Sequence, residues 1–210
     1  MNPENQQNSE LILSVLNQHY KDLSKNKIKI LDICCGVYDP KGIDYDPSGE
    51  IYQPLVAQVL AQNDFSVTGI DKRENVTTEG DEIDFIHRQD INILDENWSE
   101  NLEKDWNALI FLRSWDTPEI FLHYQKLLKI NDVNLLSLEI AKIYLPYFTD
   151  LLGTNGLFIT SEICNFGLCD DEFEVQLYKN QVSQLMKING LEYINQEDGV
   201  SWYVKISSKK

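Results

Sequence analysis

Residues 28–36 read Ile28-Lys29-Ile30-Leu31-Asp32-Ile33-Cys34-Cys35-Gly36. Apart from Lys29 and Asp32, the first six are Ile or Leu, and the run stops at a small-residue turn. A short apolar run bounded by turn residues is a strand buried on both faces. Before it, Leu11, Ile12, Val15, Leu16 and Tyr20 recur at helical spacing, with Ser9 placed to cap, which predicts an amphipathic helix over 9–24. After it, residues 37–50 are rich in Asp, Gly, Pro and Tyr and read as a loop. Ile51, Leu55, Val56, Val59 and Leu60 then mark a second helix, with Pro54 in its first turn.

The same alternation continues. Strands are predicted at 66–70, ending at Asp71, at 84–88, ending near Asp90, and at 108–112, ending at Arg113. Asp116 and Glu119 stand three apart as in a capping box. A helix over 135–152, kinked by Pro146, stops at Gly153-Thr154-Asn155-Gly156, and a strand comes next at 157–161. Phe173, Leu177, Val182, Leu185 and Met186 mark a further helix. Two last strands, 191–194 and 201–206, flank the turn Glu197-Asp198-Gly199. Helices alternating with buried strands predict an α/β protein: a three-layer sandwich around a doubly wound, mostly parallel, seven-stranded sheet. The last two strands are too close for a crossover, so they pair antiparallel, as a C-terminal hairpin strand.

The 210 residues suit one domain, 1–210, with a polar tail over 1–8 expected to be flexible. Eighteen Lys+Arg stand against 34 Asp+Glu, a formal net charge of −16. That excess disfavours binding to nucleic acid or to anionic membranes, both of which draw on clustered cations. No stretch approaches the roughly 20 apolar residues of a membrane span, and the start shows no secretory pattern. Cys34 and Cys35, and Cys164 and Cys169, have neither disulfide-framework nor zinc-finger spacing. A cytoplasmic location is the expectation.

In an open α/β sheet, ligands sit where strands end. The candidates are therefore Cys34 to Tyr38, Asp71, Asp90 and Arg113 to Asp116. A carboxylate at Asp71 can accept from both hydroxyls of a ribose, and Asp90 with Ile91 can accept from an exocyclic amine and pack on an adenine. Any one Asp alone reads more readily as a turn cap; three at the right strand ends together shift the balance.

Taken together, the pattern resembles the class I S-adenosylmethionine-dependent methyltransferases. Ile30 to Gly36 is similar to their first motif, Val67-Thr68-Gly69-Ile70-Asp71 to their second strand with its ribose-binding acid, Gln89-Asp90-Ile91 to their adenine-side Asp, and Gly153 to Ile159 to the turn and strand after their fourth crossover. The resemblance spans residues 10–206. It implies S-adenosyl-L-methionine as cofactor, held by Asp32, Cys34, Gly36, Asp71, Asp90 and Ile91, and a small-molecule acceptor met by Tyr38, Arg113 and Trp115. It gives neither a catalytic residue nor an oligomeric state.

The chain departs from the motif in two places. Cys34 replaces the first glycine and Tyr38 the third. Gly36 and Asp71 lie 35 residues apart, the excess being the 37–50 loop. That loop reads either as a lid over the acceptor or as a solvated turn. Its Asp44-x-Asp46-x-Ser48-Gly49 run matches half of a calcium loop, but Leu55 stands where a bidentate Glu belongs, so no metal is expected. The altered glycines leave two other readings: a non-catalytic interaction protein on a decayed methyltransferase fold, and a nicotinamide-dependent oxidoreductase. The second lacks the Gly-x-Gly-x-x-Gly series. His19 and His123 read as packed or surface side chains, and His87 as structural.

Overall fold

The computed structural model describes residues 3–33, 55–70, 85–88, 91–112, 118–169 and 171–206. Seven strands, five α-helices and two short 3-10 turns are present among them. The chain divides into two compact units, residues 1–100 and 101–210.

In the first unit, α1 (Pro3–His19) precedes β1 (Lys29–Ile33), and α2 (Leu55–Gln62) precedes β2 (Ser66–Ile70) and β3 (Phe85–Arg88). α1 starts at Pro3 rather than at the predicted Ser9. Proline fits a first helical position because its missing N–H has no partner there. Ser9 is instead buried inside the helix. Ile12, Val15 and Leu16 face inward, and α1 packs on α2. α2 ends in a tight cap. Asp64 adopts φ 69°, its N–H bonds to Ala61 O at 3.0 Å, and Phe65 N–H reaches back to Leu60 O at 3.2 Å. This reversal satisfies the last carbonyls and turns the chain straight into β2.

β1 pairs with β2 and β2 with β3, all parallel. The register sets Ile33 beside Ile70, and Ile70 beside Arg88. The three strands therefore stop level.

In the second unit, β4 (Trp106–Phe111) and β5 (Leu152–Ser161) are parallel, while β7 (Val200–Lys205) lies antiparallel between β5 and β6 (Leu191–Glu197). The predicted antiparallel insertion of the last strand is present. Three helices belong here: α3 (Pro118–Leu128), α4 (Val133–Leu151) and α5 (Glu172–Ile188). The hairpin turns on Asp198 and Gly199, at φ 49° and 74°. Two residues in left-handed conformation give the turn whose twist matches its strands.

Boundaries in this unit also differ from the sequence reading. α4 has its N-cap at Asp132, whose carboxylate accepts from Leu135 N–H at 2.7 Å. β5 starts at Leu152, so Gly153 to Gly156 lie within the strand rather than before it. The register jumps from Trp106–Leu152 to Ala108–Leu157, which accommodates the extra residues as an irregularity. A Cβ on Gly156 would lie 2.8 Å from Gly153 O and 3.0 Å from Trp106 O, so only glycine fits. Pro146 sits inside α4 as expected.

The core of this unit is aromatic. Phe148 lies 4.8 Å from Phe111, 5.7 Å from Tyr144 and 5.6 Å from Phe158, ring centre to ring centre. Among the described residues no helix is long and apolar enough to cross a membrane.

Candidate functional site

β1, β2 and β3 end level at one edge of the sheet. Asp32 is the next-to-last residue of β1 and is 4 % exposed. A carboxylate is buried only where donors or cations stabilise it, because desolvating its charge costs several kcal/mol. Its register partner on β2 is Gly69. Cross-strand neighbours share a sheet face, so this partner leaves room beside the carboxylate. Ile91, three residues past β3, is 3 % exposed, and Ile93 beyond it is also buried. Asn92 closes the turn between them by accepting from Leu94 N–H at 3.2 Å.

Of the residues the sequence singled out for the cofactor, Asp32 and Ile91 are among those described, both buried and both in the first unit. Cys34, Gly36, Tyr38, Asp71, Asp90, Arg113 and Trp115 lie outside the described residues, as do the 37–50 loop with its half calcium motif, Pro54 and Asp116. Cys34 comes directly after β1, Asp71 directly after β2, and Asp90 two residues after β3. Arg113 comes two residues after β4.

His19 and His123 are exposed and lie edge-on to Tyr20 and Tyr124, at 4.6 and 4.9 Å. Both are surface rings, as read. Among the described residues no group of three His, Cys, Asp or Glu side chains is placed to hold a metal.

Sequence reasoning missed a polar clamp in the second unit. Asn134, buried in the first turn of α4, accepts from Asn165 N–H at 2.7 Å through Oδ1 and donates to Asn165 O at 3.2 Å through Nδ2. The same Nδ2 reaches Cys169 Sγ at 3.5 Å, and Cys164 Sγ donates to Asn134 O at 3.8 Å. The loop leaving β5 is thereby fixed to α4. A capping Asp with an Asn two residues on was the only available signal. Burial pushes the Cys164 thiol up to about 12, with Cys169, Asp132 and Glu162 adding to it. A thiol held neutral is no nucleophile. Tyr178 on α5 donates to Asp132 at 3.3 Å; burial first, then that carboxylate, raises its hydroxyl to about 12.

No family model matches the chain, and no curated protein sequence does. Solved structures do match. The N-methyltransferase NodS from Bradyrhizobium japonicum aligns over 98 % of this chain and 98 % of its own, at 9 % identity and a TM-score of 0.51. A "putative hemolysin" from Lactococcus lactis aligns over 92 % of this chain and 85 % of its own, at 14 % identity and a TM-score of 0.52. At such identities the likeness is one of fold. The fold is the Rossmann-like α/β fold of the class I methyltransferases, as the sequence motifs implied.

Proposed function

We propose that the chain is an S-adenosyl-L-methionine-dependent methyltransferase acting on a small-molecule acceptor. The observation that carries this reading is Asp32. It is a buried carboxylate beside a glycine, at the level edge of three parallel strands, in a fold of which one similar structure is an N-methyltransferase. The donor supplies a methyl group on a sulfonium, already a good electrophile, so the protein's task is to bind, align and exclude water.

In this reading Asp32 serves the methionine part of the donor, and Cys34 and Gly36 let the backbone approach it. Asp71 accepts from the ribose hydroxyls. Asp90 and Ile91 serve the adenine, Asp90 by accepting from its amine. Tyr38, Arg113 and Trp115 face the acceptor. The net charge of −16 favours a small acceptor over a nucleic acid.

Calorimetry with S-adenosylmethionine and its demethylated product tests the reading directly. Micromolar binding of either is the expected result, and absence of heat with both overturns it. Cys34 and Tyr38, where the family has glycine, favour a second reading: a cofactor-binding protein without turnover. Binding of the donor with no label transferred from methyl-labelled donor to any of a panel of amines, phenols and carboxylates supports that second reading over the first.

A further inference from the structure

We propose that the groove between α4 and α5 is a self-association surface, filled by the same two helices of a second copy in an antiparallel two-fold arrangement. The groove encloses about 330 Å³. Leu138 and Leu185 line it beside the exposed Leu135 and Ile188. Along α5 the exposed apolar set continues through Leu177 and Phe173, the latter 78 % exposed. Phe173, Leu177, Gln181, Gln184 and Ile188 advance by four, four, three and four residues, which makes one stripe on a helix about 25 Å long.

The stripe holds no charged residue. On a chain of net charge −16, two copies meet with least repulsion along such a face. The two ends of α5 are charged, and oppositely. Asp171, Glu172 and Glu174 stand at the start of α5. Lys187 stands in its last turn. α4 and α5 run the same way: Tyr178 of α5 reaches Asp132 at the start of α4, and the groove that follows is lined by residues C-terminal to both, Leu135 to Lys142 and Gln181 to Ile188. Lys142, which lines the groove, is offset by the Glu139 carboxylate it pairs with, so the basic character of that end rests on Lys187. A parallel pairing would set acid against acid. An antiparallel two-fold sets each acidic end against the partner's basic end, so the face is complementary to itself.

The test is the mass of the full chain by sedimentation and light scattering, from low micromolar to several hundred micromolar protein. A concentration-dependent dimer is expected. Leu177→Glu and Gln184→Glu, on exposed positions whose folding is checked by circular dichroism, are each expected to weaken it at least tenfold. Glu172→Lys and Lys187→Glu singly weaken it, and the double swap restores it. A monomer throughout overturns the proposal and leaves the groove to another partner. A dimer indifferent to both stripe variants places the interface elsewhere and overturns it equally.

Discussion

The side chain of Asn134 satisfies both backbone polar groups of Asn165, accepting from its N–H at 2.7 Å and donating to its carbonyl at 3.2 Å. One amide thus does the work of a strand neighbour, at a place where the chain has left β5 and has none. Asn134→Leu fills the space but leaves the Asn165 N–H unpaired, while the Asn165 carbonyl keeps its bond from Leu168 N–H at 3.0 Å; the orphaned donor costs about 2 kcal/mol. Asn134→Asp keeps the acceptor and loses the donor, so it falls between. Urea unfolding of the two variants against wild type gives the order; a leucine variant as stable as wild type would show that the clamp contributes nothing to stability.

Lys205 makes a different kind of cap. From β7 its ammonium donates to Thr149 O at 2.6 Å and Leu152 O at 2.5 Å, where α4 ends and its carbonyls lack helical partners. A cation there also opposes the negative end of the helix. Lys205→Met keeps the stem and loses the charge. A loss of about 1–2 kcal/mol in thermal or denaturant unfolding is expected.

Two glycines separate backbone strain from crowding. Gly199 has φ 74° with nothing within 4 Å of the position a Cβ would take. Gly199→Ala therefore costs only the strain of a left-handed turn, about 1–2 kcal/mol. Gly156→Ala meets three backbone oxygens within 3.1 Å. The strand has to shift, and a larger loss of melting temperature than for Gly199→Ala is expected.

Most of this framework was legible in the sequence, and the reasons are local. β-Branched runs ending at small or acidic residues located β1 and β2, and Asp198-Gly199 located the hairpin. Boundaries were legible only where a cap is made by one residue type. α1 begins ahead of Ser9 because Pro3 is an equally good start, and α2 ends on Asp64 where glycine is the usual signal. Phe173 and Leu177 marked α5 by their helical spacing, which shows a stripe without saying what covers it; both are exposed. The Asn134 clamp joins residues 31 apart, and no short-range pattern encodes that.

Alkaline pH should loosen the fold. Burial raises Cys164, Tyr178 and Tyr203 each to about 12. In the unfolded chain these groups titrate near 8.5 for Cys and 10 for Tyr, roughly. Below about pH 8.5 both states hold their protons, and this contribution to stability is complete. As pH rises further the unfolded chain releases protons that the folded chain retains, so stability falls progressively up to about pH 12. The urea midpoint should drop between about pH 8 and 11, and Tyr203→Phe should flatten that drop. At about pH 8 the buried Cys164 should resist alkylation in the native protein while the half-buried Cys169 reacts. Rapid labelling of both would contradict the packing around Asn134.

Asp71 is the sharpest probe of the proposed function. It comes directly after β2, and β2 ends level with β1, whose Asp32 is buried one residue before the edge. In the proposed function, the carboxylate that follows this strand accepts from both hydroxyls of the ribose. On that reading, removing it leaves two hydroxyls without an acceptor. Asp71→Ala is therefore expected to weaken binding of S-adenosylhomocysteine at least tenfold by calorimetry, at unchanged melting temperature. Asp71→Asn keeps one acceptor oxygen and should lose less. Deoxygenating the ligand's ribose should cost the wild type affinity and leave Asp71→Ala nearly indifferent, because the contact is already gone. If Asp71→Ala binds as tightly as wild type, the ribose is held elsewhere and the assignment of this strand end fails.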